Sequence, residues 1–126
     1  MKITSYRELI VWQKSMDLST QVFQITKSFP LSEQYGLTNQ IRRSCFSIPS
    51  NIAEGFCRGG RPEFRQFLQI SFASGAELET ELEIARNIEI LQEKDYKLLI
   101  SKLDEIMRML NKMIRTVKNN QNQTSR

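Results

Sequence analysis

The sequence predicts an all-α protein, a bundle of four helices. Four segments carry apolar residues at helical spacing, and short stretches with turn or capping residues separate them at 29–30, 59–62 and 93–95. With 126 residues, of which 40% are hydrophobic and 25% charged, the chain has the size and composition of one globular domain with one core. We therefore expect a single helical domain over residues 1–117.

The first predicted helix, over residues 5–29, has two apolar lines at heptad spacing. The residues of the first line are Leu9, Trp12, Met16, Ser19 and Phe23. The residues of the second line are Val11, Ser15, Leu18, Val22, Ile25 and Phe29. Because one partner helix needs only one such line, this width predicts burial inside the bundle and also against another subunit.

The second predicted helix, over residues 32–57, contains a proline. Its apolar stripe is Leu37, Ile41, Cys45, Ile48, Ile52 and Phe56. Pro49 lacks an N–H and its ring crowds the carbonyl of Cys45, which costs about 3 kcal/mol in a helix interior. Since the stripe keeps its spacing across Pro49, we expect one helix with a kink there and not two helices.

Three residues that follow the proline are predicted to have structural roles. Asn51 and Glu54 lie on one side of the helix, and we expect them to form hydrogen bonds near the kink. A contact with a partner is the alternative, whereas a catalytic pair would lack a nucleophile and a base. Gly55, together with Gly59 and Gly60, is expected to loosen the end of this helix.

The third predicted helix, over residues 62–91, begins with Pro62 in the first turn, where proline is favoured. Its heptad line is Phe64, Leu68, Ser71, Gly75, Leu78, Leu82 and Ala85. The small residues at 71 and 73–76 leave little side-chain volume in mid-helix. We therefore expect another helix to approach closely at this point.

The fourth predicted helix, over about residues 95–118, has a wide apolar face. Its heptad line is Leu99, Leu103, Ile106, Leu110, Met113 and Val117, and its flank is Ile100, Met107 and Ile114. This width again predicts a subunit interface beside the bundle core. Residues 118–126 contain no apolar side chain, and we expect them to form a disordered polar tail.

Missing residue types exclude several classes of function. The chain has no histidine, which excludes His-dependent catalysis and most zinc and di-iron sites. Cys45 and Cys57 are too far apart on one helix to form a disulfide, so we expect two reduced thiols. No apolar run is long enough to span a membrane, and the N-terminus has no leader pattern. We expect a cytoplasmic protein that is not an enzyme and uses no cofactor or metal.

Charge is unevenly distributed along the chain. Residues 1–62 carry eight Lys or Arg against four Asp or Glu, residues 63–92 carry two against six, and residues 93–126 carry eight against four. One interpretation is attraction between neighbouring helices, with ion pairs from the glutamates of the third helix to Arg42 and Arg43. The other is a basic surface for an anionic partner such as RNA.

Two basic groups are candidates for such a surface. The first is Arg42, Arg43, Arg58 and Arg61, and the second is Lys112, Arg115 and Lys118. The second group also complements the dipole at the end of a helix, so its charge is open to a purely structural interpretation. No helix-turn-helix, zinc finger or aromatic RNA-reading motif accompanies either group.

Several stretches resemble the 23S rRNA-intervening-sequence proteins, also called four helix bundle proteins. These stretches, within residues 6–117, are VWQKSMDLS, EQYGLTNQIRRS, SIPSNIAEG, EF and FASGAELETELEIA, and the most specific is QIRRSCFSIPSNIAEG. The resemblance implies an up-down-up-down bundle that assembles into a ring-like homopentamer. The chain also looks similar to the accessory protein of diversity-generating retroelements, a basic pentameric bundle for which binding to nucleic acid and a reverse transcriptase is inferred. Arg61-Pro62 replaces the polar capping residue that often precedes EF in the family.

Two functional hypotheses remain. The first is a homo-oligomeric bundle that binds nucleic acid, RNA in the first place, through the seven basic residues repeated around a ring. The second is an adaptor that docks a partner protein on its outer helices, with the basic residues serving solubility.

Overall fold

The computed structural model describes residues 2–124, with side chains described for residues 2–117. Four α-helices form the fold: α1 (Ile10–Thr26), α2 (Leu37–Cys57), α3 (Arg61–Asn87) and α4 (Glu93–Thr124). Short 3-10 helices lie before α1, at Tyr6–Glu8, and before α2, at Leu31–Glu33. The described residues contain no β-strand, and the predicted all-α class with four helices is confirmed.

The helices begin and end at different residues from those predicted. Ser5 caps a separate 3-10 turn by accepting a hydrogen bond from the Arg7 N–H (3.1 Å), so α1 starts only at Ile10. At the other end of the bundle, α3 stops at Asn87, four residues early. Glu89 there has a positive φ of 64°, and the amides of Ile90 and Leu91 donate to the carbonyl of Ala85.

Helix α4 extends further than the sequence predicted. It continues to Thr124, past the predicted domain end at residue 117 and into the segment expected to be disordered. The lysine, asparagine and glutamine residues after Val117 include no proline or glycine, so nothing in the local sequence stops the helix. The side chains of 118–126 lie outside the described residues, and so does the predicted contact residue Lys118.

Neighbouring helices run antiparallel. Between α1 and α4, Lys14 lies 3.2 Å from Glu105, whereas Asp17, later in α1, lies 2.9 Å from Lys102, earlier in α4. Pairs in the same opposed order connect the other neighbours: Ser19–Cys45 and Thr26–Arg42 between α1 and α2, Ser44–Glu81 and Ser47–Ser74 between α2 and α3, and Gly75–Met107 and Arg86–Tyr96 between α3 and α4. These contacts are those of an up-down-up-down bundle.

Each helix gives one stripe to a shared core. The hydrophobic residues with less than 2% exposure are Val11, Leu18, Val22, Ile41, Cys45, Ile48, Ile52, Leu68, Leu78, Leu82, Ala85, Leu99, Leu103, Ile106 and Leu110. The second predicted line of α1 is buried here, whereas Met16 and Phe23 of the first line are 43% and 39% exposed. The bundle core therefore covers the second line, whereas Leu9, Trp12 and Ser19 of the first line are covered at least in part and Met16 and Phe23 are left exposed.

Small residues allow α3 to approach its neighbours closely, as predicted. Gly75 lies against the side chain of Met107 on α4, where a Cβ would overlap the sulfur. On the other side, the Ser71 hydroxyl donates to the carbonyl of Ile48 on α2 at 3.0 Å. At both contacts a side chain of one helix therefore touches the backbone of the next: Met107 of α4 touches Gly75, and Ser71 touches Ile48 of α2.

Helix α2 is continuous through Pro49, which is buried. The Asn51 amide donates to the carbonyl and the hydroxyl of Ser47, each at 2.8 Å, so it forms the hydrogen bonds expected near the proline. The kink itself stays a prediction. Gly55 does not loosen the helix end: it is buried within α2, where it allows Phe67 of α3 to approach.

Candidate nucleic-acid interface

The antiparallel arrangement gathers basic residues at one end of the bundle. Helix α2 ends and α3 begins there, and the start of α1 and the later half of α4 lie at the same level. The basic side chains of these segments are Arg7, Arg58, Arg61, Arg65, Lys112 and Arg115. We refer to these six residues as the basic end.

Net positive charge is concentrated in the segments that form this end. Residues 2–12, 54–68 and 109–117 together carry seven Lys or Arg, which are the six of the basic end and Lys2, against three Asp or Glu. The other residues with described side chains, 13–53 and 69–108, carry nine against eleven. The surplus positive charge of the residues with described side chains therefore lies at one end of the bundle, where it would attract an anionic partner.

Three residues of the basic end are free to meet a ligand. Arg61, in the first turn of α3, and Lys112 and Arg115 on α4 are all exposed. None of the three forms an ion pair with another residue whose side chain is described. Their positive charges therefore point into solvent without compensation.

Arg58 is positioned differently. Its guanidinium lies 2.7 Å from the carboxylate of Glu54, one helical turn earlier, and 5.2 Å from the ring centre of Phe67. Both members of this ion pair are about half exposed, so the pair contributes little stability. Glu54 nevertheless neutralises part of the charge that Arg58 offers to an anion.

Arg42 lies in the opposite half of the bundle and is held by α1. Its Nε donates to the hydroxyl of Thr26 at 2.9 Å, and its guanidinium stacks over the ring of Phe23 at 4.3 Å. The prediction of an ion pair between Arg42 and the glutamates of α3 is wrong, because the Arg42 side chain contacts α1 and not α3.

Arg43 borders a polar groove between α2 and α3. This groove, a cavity of about 460 Å³, is lined by Gln40, Arg43, Ser44, Ser47, Ser74, Glu77 and Glu81. Arg43 forms no described ion pair with either glutamate, contrary to expectation. The two carboxylates would repel a phosphate, so the surroundings of Arg43 suit an anionic ligand less well than the basic end does.

Glu81 is the most perturbed carboxylate of this groove. The hydroxyl of Ser44 donates to it at 2.6 Å, which joins α2 to α3. Burial raises the pKa of Glu81 above its ordinary value of 4.5; the Ser44 hydrogen bond opposes this shift, and the negative charge of Glu77 adds to it.

Two basic residues of this end were missed in the sequence. Arg7 lies within 5.5 Å of the ring centres of both Tyr6 and Trp12, so an arginine between two aromatic residues was the available signal. Arg65 is half-buried on α3, and its Nε is buried without a hydrogen-bond partner among the described residues. Its single charge inside an acidic segment of sequence offered no signal.

The described residues show no metal site and no membrane span. No three Cys, Asp or Glu side chains of this part of the chain lie close enough together to hold a metal ion. Among the helices described, none combines the length and apolar character needed to cross a membrane. Cys45 and Cys57 are both free thiols, as predicted.

Comparison with known families agrees with the architecture. Residues 7–112 match the family model described as 23S rRNA-intervening sequence protein. The chain belongs to this family. The resemblance seen in the sequence is thereby confirmed, and the matched region runs from Arg7 of the basic end through all four helices to Lys112.

A solved structure shares the fold of this family member. It is a protein of unknown function from the S23 ribosomal protein family of Bacteroides thetaiotaomicron, 28% identical in sequence, with a TM-score of 0.77. The alignment covers 83% of this chain and 98% of that chain. Among proteins of curated function, none is similar enough to this sequence to match.

Proposed function

We propose that this family member is a non-enzymatic, homo-oligomeric bundle that binds RNA through its basic end. The observation that carries the proposal is the convergence of Arg61, Lys112 and Arg115 at one end, exposed and without described ion pairs. Phosphate contacts by such side chains supply sequence-independent affinity for nucleic acid. Arg58 contributes less because Glu54 shares its charge.

Repetition of the basic end would strengthen binding. One subunit offers only a few phosphate contacts, each of which is weak at physiological salt. In an oligomer such as the ring of five subunits implied by the family resemblance, the basic ends act together, and avidity raises the affinity without any new kind of contact.

Exposed apolar side chains support self-association. Met16 and Phe23 on α1, Phe46 on α2, and Ile70 and Ile84 on α3 are each between 39% and 45% exposed. Large apolar residues repeated along several helices are typical of surfaces that another chain covers. The basic end does not include these residues, so a ring could form and leave it open.

The proposal is tested by fluorescence anisotropy with a labelled, structured RNA and a matched duplex DNA. Titrations of nuclease-treated protein at about 50 mM and 200 mM salt should show a steep loss of affinity for RNA. The double variant Arg61→Glu/Arg115→Glu should lower the RNA affinity and reduce the salt slope by about 1 for each lost phosphate contact. A glutamate at position 61 also suits the start of α3, so the variant should fold.

A matched control is available at the opposite end. Lys94→Glu/Lys97→Glu changes two exposed residues at the start of α4 and alters the net charge by the same amount. We expect this control to affect RNA binding much less. Equal losses for both double variants, or no binding of native protein at 50 mM salt, would contradict the assignment of the basic end.

The alternative function is that of a protein adaptor. A second depression between α2 and α3 is partly apolar and includes Ala73, Ala76, Thr80 and Ile84. A partner helix that packs there would be retained in a pull-down after nuclease treatment and at high salt. If Arg61→Glu/Arg115→Glu leaves the amount of captured partner protein unchanged, this role is separate from RNA binding.

A further inference from the structure

An aromatic pair lies against Arg7, a member of the basic end. Tyr6, in the 3-10 helix before α1, and Trp12, in the first turns of α1, have ring centres 5.2 Å apart at an interplanar angle of 66°. The Arg7 guanidinium carbon lies 5.5 Å from the Tyr6 centre and 5.4 Å from the Trp12 centre. We refer to these three residues as the aromatic cluster.

Local hydrogen bonds hold the cluster in place. The Ser5 hydroxyl accepts from the Arg7 N–H, and the Thr4 hydroxyl donates to Glu8 at 2.9 Å. The Gln13 side chain donates to the carbonyl of Arg7 at 2.8 Å, which ties the 3-10 helix to α1. The cluster is therefore preorganised, which lowers the entropic cost of binding a ligand.

The cluster remains open to solvent in part. Arg7 is exposed, and Tyr6 and Trp12 are half-buried. Trp12 also packs against the core, whereas Tyr6 is not among the side chains that do so. The 3-10 helix contacts α2, whose C-terminal end is followed by Arg58, so the two rings adjoin the part of the basic end that lies beyond Arg7.

This combination matches the chemistry of an unpaired nucleobase. Aromatic rings and arginine stack on the face of a base, and nearby cations bind its phosphates. Inside a duplex each base is already stacked on both faces, so it cannot stack on such a site. We infer that Tyr6, Arg7 and Trp12 form a stacking site for an unpaired base, so that the protein prefers single-stranded to duplex nucleic acid; this inference rests on the proposed function.

Trp12 gives a direct readout because it is the only tryptophan in the chain. A mixed-sequence RNA of 12 nucleotides without self-complementarity is titrated into the protein, alone and annealed to its complement. The single strand should quench Trp12 fluorescence and bind about tenfold more tightly than the duplex. Affinity is measured in parallel by anisotropy of a labelled strand.

Variants separate stacking from fold and charge. Tyr6→Ala should remove the preference for the single strand and leave duplex affinity unchanged, whereas Tyr6→Phe should retain the preference because the ring remains. The matched control is Tyr96→Ala at the opposite end, where Arg86 stacks over Tyr96 at 4.1 Å. This control should keep the full preference.

The outcomes distinguish this inference from the proposed function. Equal binding of single strand and duplex, with unchanged Trp12 fluorescence, would overturn the stacking site and leave the basic end as an RNA-binding surface. Equal loss of preference in Tyr6→Ala and Tyr96→Ala would also overturn it, since the effect would then not be local. Absence of binding to either RNA would overturn both.

Discussion

At the scale of single residues, the two thiols have opposite environments. Cys45 is buried against Ser19, and burial raises its pKa to about 11, whereas Cys57 at the end of α2 is exposed. Since the thiolate is the reactive form, and only roughly one in a thousand Cys45 thiols is ionised at pH 8, Cys45 should be inert in the folded protein.

A thiol-reactive dye at pH 8 should therefore show one fast equivalent per chain, with the second appearing only on unfolding in urea. Cys57→Ser should abolish the fast equivalent and leave the slow one. Two fast equivalents in native protein would contradict the buried position of Cys45.

The carboxylate of Glu81 should make stability depend on pH. Because its pKa is raised in the folded protein, the folded state holds this proton more tightly than the unfolded chain. The free energy of unfolding therefore falls as the pH rises from 4.5, the ordinary value, through the raised pKa. At neutral pH the ionised side chain is a net cost.

Glu81→Gln removes this charge and keeps an oxygen that accepts from Ser44. Urea unfolding should give a higher midpoint than the native protein at pH 7 and the same midpoint well below pH 4.5. Glu79→Gln, at an exposed position of the same helix, is the control and should change neither. A gain from Glu81→Gln that is equal at both pH values would contradict the role of ionisation.

At the scale of helices, two glycines differ in what they face. A Cβ at Gly55 would meet the Cβ of Phe67 and the ring of Phe64 on α3, whereas at Gly75 it would meet the end of the flexible Met107 side chain. Alanine favours a helix over glycine by about 1 kcal/mol at both positions. The difference in the free energy of unfolding between Gly55→Ala and Gly75→Ala therefore measures how rigidly each glycine is covered by its neighbour.

Gly55→Ala should lower the free energy of unfolding by about 1–3 kcal/mol, because neither the Phe67 Cβ nor the helix that carries it can move easily. Gly75→Ala should stay within about 1 kcal/mol of native, since Met107 can change its rotamer. Both values are measured by urea unfolding followed by circular dichroism. Equal destabilisation by the two alanines would argue against a close contact specific to Gly55.

The helix boundaries show where sequence patterns were sufficient. The heptad lines of the third and fourth predicted helices identified residues that are buried, or half-buried at Phe64, Met113 and Val117, because a helix must turn its apolar stripe toward the core. The predicted range of the third helix also included Ile90 and Leu91, which are apolar but lie beyond the end of α3. Helix α3 ends just before Glu89, whose φ is positive, and a glutamate in the sequence does not predict that conformation.

At the scale of the whole molecule, the exposed apolar residues make self-association testable. Met16→Glu/Ile84→Glu places charges on two helices where apolar side chains are 43% and 45% exposed. If these surfaces are covered in an oligomer, the double variant should have a smaller mass by sedimentation velocity and native helicity by circular dichroism.

Ser101→Glu, at an exposed polar position of α4, is the control and should leave the mass unchanged. Native protein that sediments as a monomer at all concentrations would contradict the proposed oligomer. Any RNA binding that anisotropy detects would then have to come from the basic end of one subunit alone.

The candidate interface was only partly visible in the sequence. The sequence analysis placed Arg42 and Arg43 in one group with Arg58 and Arg61, but the bundle separates that group and joins Arg58 and Arg61 to Lys112 and Arg115 of the other. Their separation depends on the direction of each helix, which charge counts along the chain do not contain. The added members Arg7 and Arg65 come from segments that are distant in sequence and adjacent in the bundle.

Local chemistry was enough to predict the helical class, the core stripes, the close approach at Gly75 and the family, because each depends on residue type at a regular spacing. Tertiary packing alone decided that Arg42 bonds to α1, that Glu81 accepts from Ser44, and that the surplus positive charge lies at one end. Those features depend on which side chains meet across helices, and antiparallel packing joins residues that the chain separates by dozens of positions.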